Sequence, residues 1–111
     1  MESDDAIAAF AALAQPTRLQ ALRLLVQAAP EGLAAGALAD LLAVPANTLS
    51  AHLGVLSRAG LISSERHGRS IVYRAGLDRL GELVGFLLND CCQGRAALCG
   101  PLTSTLAAAR S

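Results

Sequence analysis

The sequence predicts a mainly helical α+β domain with one small β-hairpin, and three observations support this fold class. Hydrophobic residues form 53% of the 111-residue chain, and the dominance of Ala and Leu favours helices over extended sheet. Leu49, Leu53 and Leu56 recur at helical spacing, which predicts one apolar stripe along a helix. Residues 61–66 and 70–75 read as two strands around a tight turn. A chain of this length forms one domain with a small core.

Two helices are expected before residue 30. Ser3 is expected to cap the first helix. Asp4 and Asp5 lie in its opening turn, where acids suit the positive end of the helix dipole. The apolar face of this helix consists of Ile7, Phe10, Ala11 and Ala14. Pro16 begins the second helix, since proline is well tolerated at the first helical position. Its predicted core stripe consists of Leu19, Leu22, Leu25 and Val26, with Arg18 and Arg23 facing outward.

The middle of the chain predicts two helices joined by a short turn. Leu33 forms a brief strand, and residues 35–43 form a third helix with Leu38, Leu41 and Leu42 inward. Residues 44–46 form the turn, because Pro45 disfavours helical geometry at the residue before it. On the fourth helix, the face opposite the leucine stripe is polar or small and carries no acid, so it could approach a polyanion closely. That face consists of Asn47, Ser50, Ala51, Gly54 and Arg58.

An arginine-tipped hairpin follows this fourth helix. Gly60 stands where a helix C-cap would lie, and Gly68 supplies the positive φ needed in the turn at residues 67–69. A small-faced helix followed by a basic hairpin is the plan of a winged helix-turn-helix. In that plan the helix enters a DNA groove and the hairpin, or wing, contacts the flanking backbone.

The last predicted helix runs from Arg79 to about Cys91, with Asp78 as its cap. It has a wide apolar face that must be covered, and Gly81 and Gly85 would allow a neighbouring helix to approach closely. The face consists of Leu80, Leu83, Val84, Phe86, Leu87 and Leu88. With the Ile7 and Phe10 helix, it is the expected homodimer interface; the alternative is packing within one subunit.

The segment LSAHLGVLSRAGLISSERHGRSIVYRA, residues 49–75, closely resembles the ArsR family of metal- and metalloid-responsive repressors. The resemblance rests on S-x-H-L-x-x-L-x-x-A-G-L-I followed by R-x-G-R-x-x-x-Y, and it extends from Ala8 to about Asp90. It implies a winged helix-turn-helix homodimer, joined through its first and last helices, that binds double-stranded operator DNA with an inverted repeat. The expected DNA-binding residues are Asn47, Thr48, Ser50, Ala51, His52, Arg58, Arg66, His67 and Arg69.

Several of these residues have structural alternatives. Asn47 or Thr48 could cap the helix, and His52 could be a packed surface histidine. Arg18 lies in a Pro-Thr-Arg string that the family also shows. It could be a surface arginine near the start of the helix or a phosphate contact. Arg74 is expected to pair with an acid. Tyr73 is expected to pack against the sheet rather than reach DNA.

The net charge is zero, so the distribution of charge matters more than its sum. All nine basic residues are arginines, and residues 58–74 contain four of them against one acid, Glu65. A dimer would double this basic stripe. DNA binding should then depend on salt, although less steeply than for a strongly basic protein.

Three cysteines, Cys91, Cys92 and Cys99, lie within nine residues near the C-terminus. In a cytosolic chain this clustering favours a metal or redox role over structural disulfides. Three thiolates with no obvious fourth ligand favour trivalent arsenic or antimony, whereas zinc prefers four ligands; Asp90 is the nearby carboxylate. The pattern resembles the family's subgroup with an arsenite site formed by a Cys-Cys pair at the end of the last helix and a third downstream cysteine. It departs from members with a cysteine pair at the start of the DNA-reading region or with Asp and His ligands on the last helix.

The sequence therefore predicts an arsenite-responsive repressor with no catalytic cofactor, in which residues 1–92 bind DNA and dimerise and residues 93–111 contribute Cys99 and a weakly ordered tail. The alternative is a thiol-redox-responsive regulator with the same fold. A thiol-dependent enzyme is disfavoured, because the chain has neither a C-x-x-C motif nor a Gly-rich phosphate loop.

No apolar run has membrane length, and acids at the N-terminus have the wrong sign for a secretory signal. A cytoplasmic protein that does not contact membranes is expected.

Overall fold

The computed structural model describes residues 1–90, and for residues 89 and 90 it describes the backbone alone. Five α-helices and three strands follow one another along this part of the chain, and a π-helical turn, Phe86–Asp90, follows the last α-helix. The helices are α1 (Ser3–Leu13), α2 (Pro16–Gln27), α3 (Ala35–Leu42), α4 (Ala46–Arg58) and α5 (Leu77–Gly85). The strands are β1 (Leu33–Ala34), β2 (Ile62–His67) and β3 (Ser70–Ala75). The predicted α+β winged helix-turn-helix is confirmed.

The three strands form one antiparallel sheet in the order β1-β3-β2. β2 and β3 form the wing, with His67 opposite Ser70 across the two-residue turn at Gly68 and Arg69. Gly68 adopts the predicted positive φ of 63°. The brief strand predicted at Leu33 is also confirmed, because Leu33 pairs with Tyr73 and joins the segment before α3 to the wing.

The core lies between α1, α2, α3, α4 and the base of the sheet. Its fully buried large side chains come from α2, α3, α4 and the residue before β2: Leu25, Leu38, Leu49, Leu53, Leu56 and Leu61. Leu49, Leu53 and Leu56 form the predicted stripe of α4 and anchor that helix by removing apolar surface from water. The buried stripe fixes which face of α4 remains exposed.

The predicted inward faces of the first three helices are partly wrong. α1 buries Ala6, Ala9 and Ala12, whereas Ile7 and Phe10 are 65% and 42% exposed. The small alanines let α1 pack closely against α2 and α4. In α2, Ala21 joins Leu22 and Leu25 in the core. The side chains predicted to be inward but found exposed are Leu19, Val26 and Leu41.

Two predicted helix caps differ from the structure. Ser3 is the first residue of α1 rather than its cap, and the N–H of Glu2 donates to Asp5 Oδ2 at 3.1 Å. α5 begins two residues earlier than predicted, with Gly76 at the cap and Asp78 within the first turn. Gly76 is held there because its N–H donates to the Leu61 carbonyl at 2.8 Å. The predicted continuous α-helix to Cys91 is interrupted at Phe86, where the π-helical turn begins.

Two features besides Pro45 shape the turn between α3 and α4. Ala43 ends α3 in the left-handed conformation, with φ of 54°, and the N–H of Val44 donates to the Ala39 carbonyl at 3.1 Å. Pro45 then caps α4 in an extended conformation. This geometry sets the direction in which α4 leaves α3.

Over the described helices, none is long and apolar enough to cross a membrane.

Candidate nucleic-acid interface

The exposed face of α4 is the predicted recognition surface. Asn47, Thr48, Ser50 and Ala51 are all exposed in the first two turns of the helix. No acidic residue occurs anywhere in α4. Short polar and small side chains on a helix of this kind allow its backbone to approach base edges and phosphates in a major groove.

Neither Asn47 nor Thr48 caps α4. The capping position is occupied by Pro45, and no side chain forms a capping hydrogen bond there. The structural alternative for these two residues is therefore wrong. Both side chains project from the first turn of the helix, where they are available for contacts outside the domain.

The wing presents its basic residues at the far end of the sheet. Arg66, His67 and Arg69 are all exposed. In the ladder, Arg66 lies opposite Ile71 and His67 opposite Ser70, so Arg66 and His67 project from opposite faces of the sheet. Tyr73 is partly buried and packs against the core, as predicted. The strand alternation thus spreads the wing's cationic groups over both of its faces and its tip.

The one acid of the wing is compensated within the wing. Arg74 Nη1 donates to Glu65 Oε2 at 2.6 Å, while Arg74 Nε donates to the Pro30 carbonyl at 3.2 Å. His67 Nε2 lies 3.6 Å from the other oxygen of Glu65. The hydrogen bond from Arg74, followed by the charge of His67, lowers the pKa of Glu65 below its ordinary value. The pairing predicted for Arg74 is confirmed, and Arg66 and Arg69 keep their charges uncompensated by an ion pair within the described residues.

His52 lies at the border between the buried stripe and the exposed face of α4, and it is partly buried. Its Nδ1 atom is 3.3 Å from Nη1 of Arg18. Arg18 also donates from Nε to the Ala12 carbonyl at 2.5 Å and from Nη2 to the Ala11 carbonyl at 3.5 Å. The prediction that Arg18 faces outward is therefore wrong. Its guanidinium instead connects the last turn of α1 to the recognition helix.

Arg58 occupies the C-terminal end of α4 and is exposed. A Cβ atom placed on Gly54 would lie 3.3 Å from Nη1 of Arg58, so the guanidinium folds back over the glycine one turn earlier. The predicted DNA-binding residues thus lie on two neighbouring elements, α4 and the wing. Arg18 lies on neither element; the sequence pattern offers it as a surface arginine or a phosphate contact and does not predict its contact with His52.

The predicted arsenic ligands Cys91, Cys92 and Cys99 lie outside the described residues, as does the boundary between residues 1–92 and 93–111. Within residues 1–90, no group of three or more His, Asp and Glu side chains could hold a metal ion. The side chains on α4 and the wing supply amide, hydroxyl, imidazole and guanidinium groups, which interact by hydrogen bonding and charge.

Comparisons with known proteins agree with this geometry. Residues 13–65 match a family model described as a helix-turn-helix domain. A Bacillus subtilis (strain 168) protein described as the uncharacterized HTH-type transcriptional regulator YbzH is 33% identical, over 76% of this chain and 96% of the relative.

Two solved structures extend the likeness. An ArsR-like transcriptional regulator from Rhodococcus sp. RHA1 is 29% identical, with a TM-score of 0.70 over 87% of this chain and 89% of that one. A homodimeric winged helix-turn-helix DNA-binding domain from Mycobacterium bovis, described as a possible ArsR-family regulator, is 30% identical, with a TM-score of 0.62 over 83% and 85% of the chains. By fold, recognition surface and similarity, the chain belongs to the ArsR family of winged helix-turn-helix transcriptional regulators.

Proposed function

We propose that this regulator is a homodimeric repressor that binds an inverted-repeat operator and releases it when trivalent arsenic or antimony binds Cys91, Cys92 and Cys99. The observation that carries the DNA-binding half of the proposal is the acid-free exposed face of α4 beside the arginines of the wing. Side chains such as Asn47 and Ser50 would read base edges, whereas Arg66 and Arg69 would contact phosphates.

Exposed apolar side chains on the first and last helices support the dimer. Ile7 and Phe10 of α1 are 65% and 42% exposed, and Val84 and Leu87 near the end of α5 are 36% and 39% exposed. Arg79 of α5 connects the two helices, because its Nη2 lies 3.6 Å from Asp5 Oδ1. The Mycobacterium bovis domain of similar fold is a homodimer. A two-fold axis through this surface would present two recognition helices to half-sites about one helical turn apart.

Thiol chemistry supports the choice of inducer. Each cysteine thiol would replace one hydroxyl of arsenous acid, so that three arsenic–sulfur bonds form, three arsenic–oxygen bonds break and three waters leave. The three cysteines begin directly after the π-helical turn that continues α5. Ligand binding there would act on the proposed dimer surface. A coupling free energy of about 1–3 kcal/mol would weaken DNA binding roughly 5- to 150-fold.

Fluorescence anisotropy on a duplex from the promoter of the gene that encodes this chain tests both halves of the proposal. The reduced protein should bind the duplex, and arsenite should release it at close to one equivalent per site. Zinc and the thiol oxidant diamide are titrated in parallel. Release by diamide alone, reversed by reductant, would replace arsenite with a redox signal and keep the fold and the DNA-binding role.

Variants separate the two halves. Cys92→Ser should bind DNA with unchanged affinity and no longer respond to arsenite. Arg69→Gln serves as the matched control, because it should weaken DNA binding while leaving the thiolate–arsenic absorbance in the ultraviolet unchanged. Arsenite release that survives in Cys92→Ser contradicts the proposed ligand set. Absence of DNA binding by the wild-type protein contradicts the repressor.

A further inference from the structure

Arg18 forms three contacts that use all three nitrogens of its guanidinium. Nε and Nη2 donate to the carbonyls of Ala12 and Ala11 in the last turn of α1. These carbonyls lie at a helix end, where intrahelical donors run out, and a cation is favourable there because of the helix dipole. Nη1 is then directed to His52 Nδ1 at 3.3 Å. These two hydrogen bonds hold the guanidinium in place along one edge and leave Nη1 to donate to the imidazole.

The chemistry of this pair determines the proton arrangement of His52. A guanidinium has five N–H donors and no acceptor, so His52 Nδ1 must accept the hydrogen bond. A neutral imidazole carries one proton, which must then lie on Nε2. No residue within the described part of the chain accepts a hydrogen bond from His52 Nε2.

We propose that Arg18 is a positioning residue for DNA recognition, which holds His52 in the tautomer that has its proton on Nε2 and so presents this N–H group to an acceptor on the operator. The inference rests on the proposed DNA-binding function. It assigns to Arg18, 34 positions away in sequence, a role that acts through His52 and needs no contact between Arg18 and DNA. A histidine that already has its proton on the donating nitrogen binds an acceptor without the free-energy cost of changing tautomer.

The tautomer is measured on the free protein, independently of DNA. Long-range proton–nitrogen NMR spectra at neutral to mildly alkaline pH should show an unprotonated Nδ1 and a protonated Nε2 for His52. The exposed His67 is the second histidine of the chain, and His67→Gln assigns the signals. In Arg18→Met, which keeps the length of the side chain without its donors, the His52 signals should shift toward the averaged values of exchanging tautomers. A protonated Nδ1 in the wild-type protein overturns the proposal.

The functional measurement uses the promoter duplex and a matched arginine. Arg18→Met should weaken DNA binding about tenfold, which is the size expected for loss of one well-placed hydrogen bond. Arg23→Met is the control, because Arg23 is exposed on the same helix and forms no hydrogen bond or ion pair within residues 1–90. Arg18→Lys should restore part of the affinity. Equal affinities for Arg18→Met and Arg23→Met overturn the proposal.

Isosteric changes at His52 keep the proposal testable if Arg18→Met melts at a much lower temperature. The amide nitrogen of Gln can occupy the place of Nε2, whereas that of Asn reaches only the place of Nδ1. His52→Gln should therefore retain several-fold higher DNA affinity than His52→Asn at similar thermal stability. The reverse order overturns the role of Nε2. If the wild-type protein binds no duplex, the repressor itself fails, and the NMR result still decides whether Arg18 fixes the tautomer.

Discussion

Arg74 donates a hydrogen bond to Glu65 across the wing, with 2.6 Å between Nη1 and Oε2. The two residues lie on neighbouring strands, where Arg74 is paired with Ser63 and Glu65 with Val72, on the outward face of the hairpin. The pair places a compensating charge beside the only acid of the wing. A surface that would meet phosphates thereby loses its one strong source of repulsion.

The first prediction concerns the titration of this pair. In Arg74→Gln, the pKa of Glu65 should rise toward its ordinary value, because the hydrogen bond from Arg74 is the main cause of its lowering. A lowered pKa in the folded state contributes stability at pH values above the unfolded pKa, and this contribution is lost as pH falls through the folded pKa. Since both groups are largely exposed, the effect on stability should be small. NMR titration of the Glu65 carboxyl measures the shift.

Arg23→Gln provides the control for this titration, because it removes an exposed arginine of α2 that forms no ion pair with Glu65. The pKa of Glu65 should not change in this variant. The same Arg74→Gln protein should also bind the promoter duplex more weakly, since Glu65 loses its hydrogen-bonded cation and keeps only the nearby His67. An unchanged pKa of Glu65 in Arg74→Gln would show that the ion pair does not form in solution.

The second prediction concerns the recognition surface. Ala51→Glu places a carboxylate on the exposed face of α4 without disturbing the buried stripe. DNA affinity should fall about tenfold or more, because a negative charge would face a polyanion. The thermal midpoint should change little, since Glu is nearly as good a helix former as Ala. Anisotropy titrations and thermal melts measure the two quantities.

Gln20→Glu is the matched control for Ala51→Glu. It adds the same charge at an exposed position of α2, outside the proposed interface. Its DNA affinity should stay within about twofold of the wild-type value, a change of less than about 0.5 kcal/mol. Equal losses in the two variants would mean that total charge, rather than the face of α4, governs binding.

The third prediction concerns the connection between α2 and β1. Gly32 has φ of 80°, and a Cβ atom there would lie 2.3 Å from the Tyr73 carbonyl oxygen and 2.8 Å from Arg74 Cγ. Gly32→Ala should therefore destabilise the fold by about 1–3 kcal/mol or more, through backbone strain and a clash with β3. Urea denaturation at fixed protein concentration measures the loss.

Gly36→Ala is the contrasting substitution four residues later. Gly36 lies in α3, and a Cβ atom there would meet no atom within 4 Å. This variant should be neutral or stabilised by up to about 1 kcal/mol, because Ala is a better helix former than Gly. A Gly32→Ala protein as stable as Gly36→Ala would contradict the close approach of residue 32 to β3.

The exposed face of α4 and the wing hairpin could be predicted from the sequence because their patterns are local. The buried stripe of α4 and the turn glycine Gly68 follow from helical periodicity and from the φ of a tight hairpin. The contact between Arg18 and His52 joins residues 34 positions apart and leaves no periodic signal. In α1, the larger side chains Ile7 and Phe10 have the character of core residues, yet alanines fill the space against α2 and α4. The periodicity of a sequence predicts which residues share a face of a helix. Which face is buried depends on how closely the neighbouring elements pack against it.

The last prediction concerns that exposed face of α1. If Ile7 and Phe10 form part of a two-fold interface, the double variant Ile7→Gln/Phe10→Gln should shift the protein from dimer to monomer. Each substitution occurs twice across a two-fold axis. Loss of about 3 kcal/mol of apolar burial would then weaken dimerisation roughly 100-fold. Sedimentation equilibrium measures the dissociation constant.

Leu41→Gln supplies the control, because Leu41 is 60% exposed on α3, away from α1 and α5. This variant should remain dimeric and should bind the full operator. The α1 variant should keep its thermal transition, since Ala6, Ala9 and Ala12 form the core contacts of that helix. It should also bind a duplex with two half-sites no more tightly than a duplex with one, because a monomer occupies a single half-site. Dissociation caused by Leu41→Gln and not by the α1 variant would move the interface to α3, and the geometry of operator recognition with it.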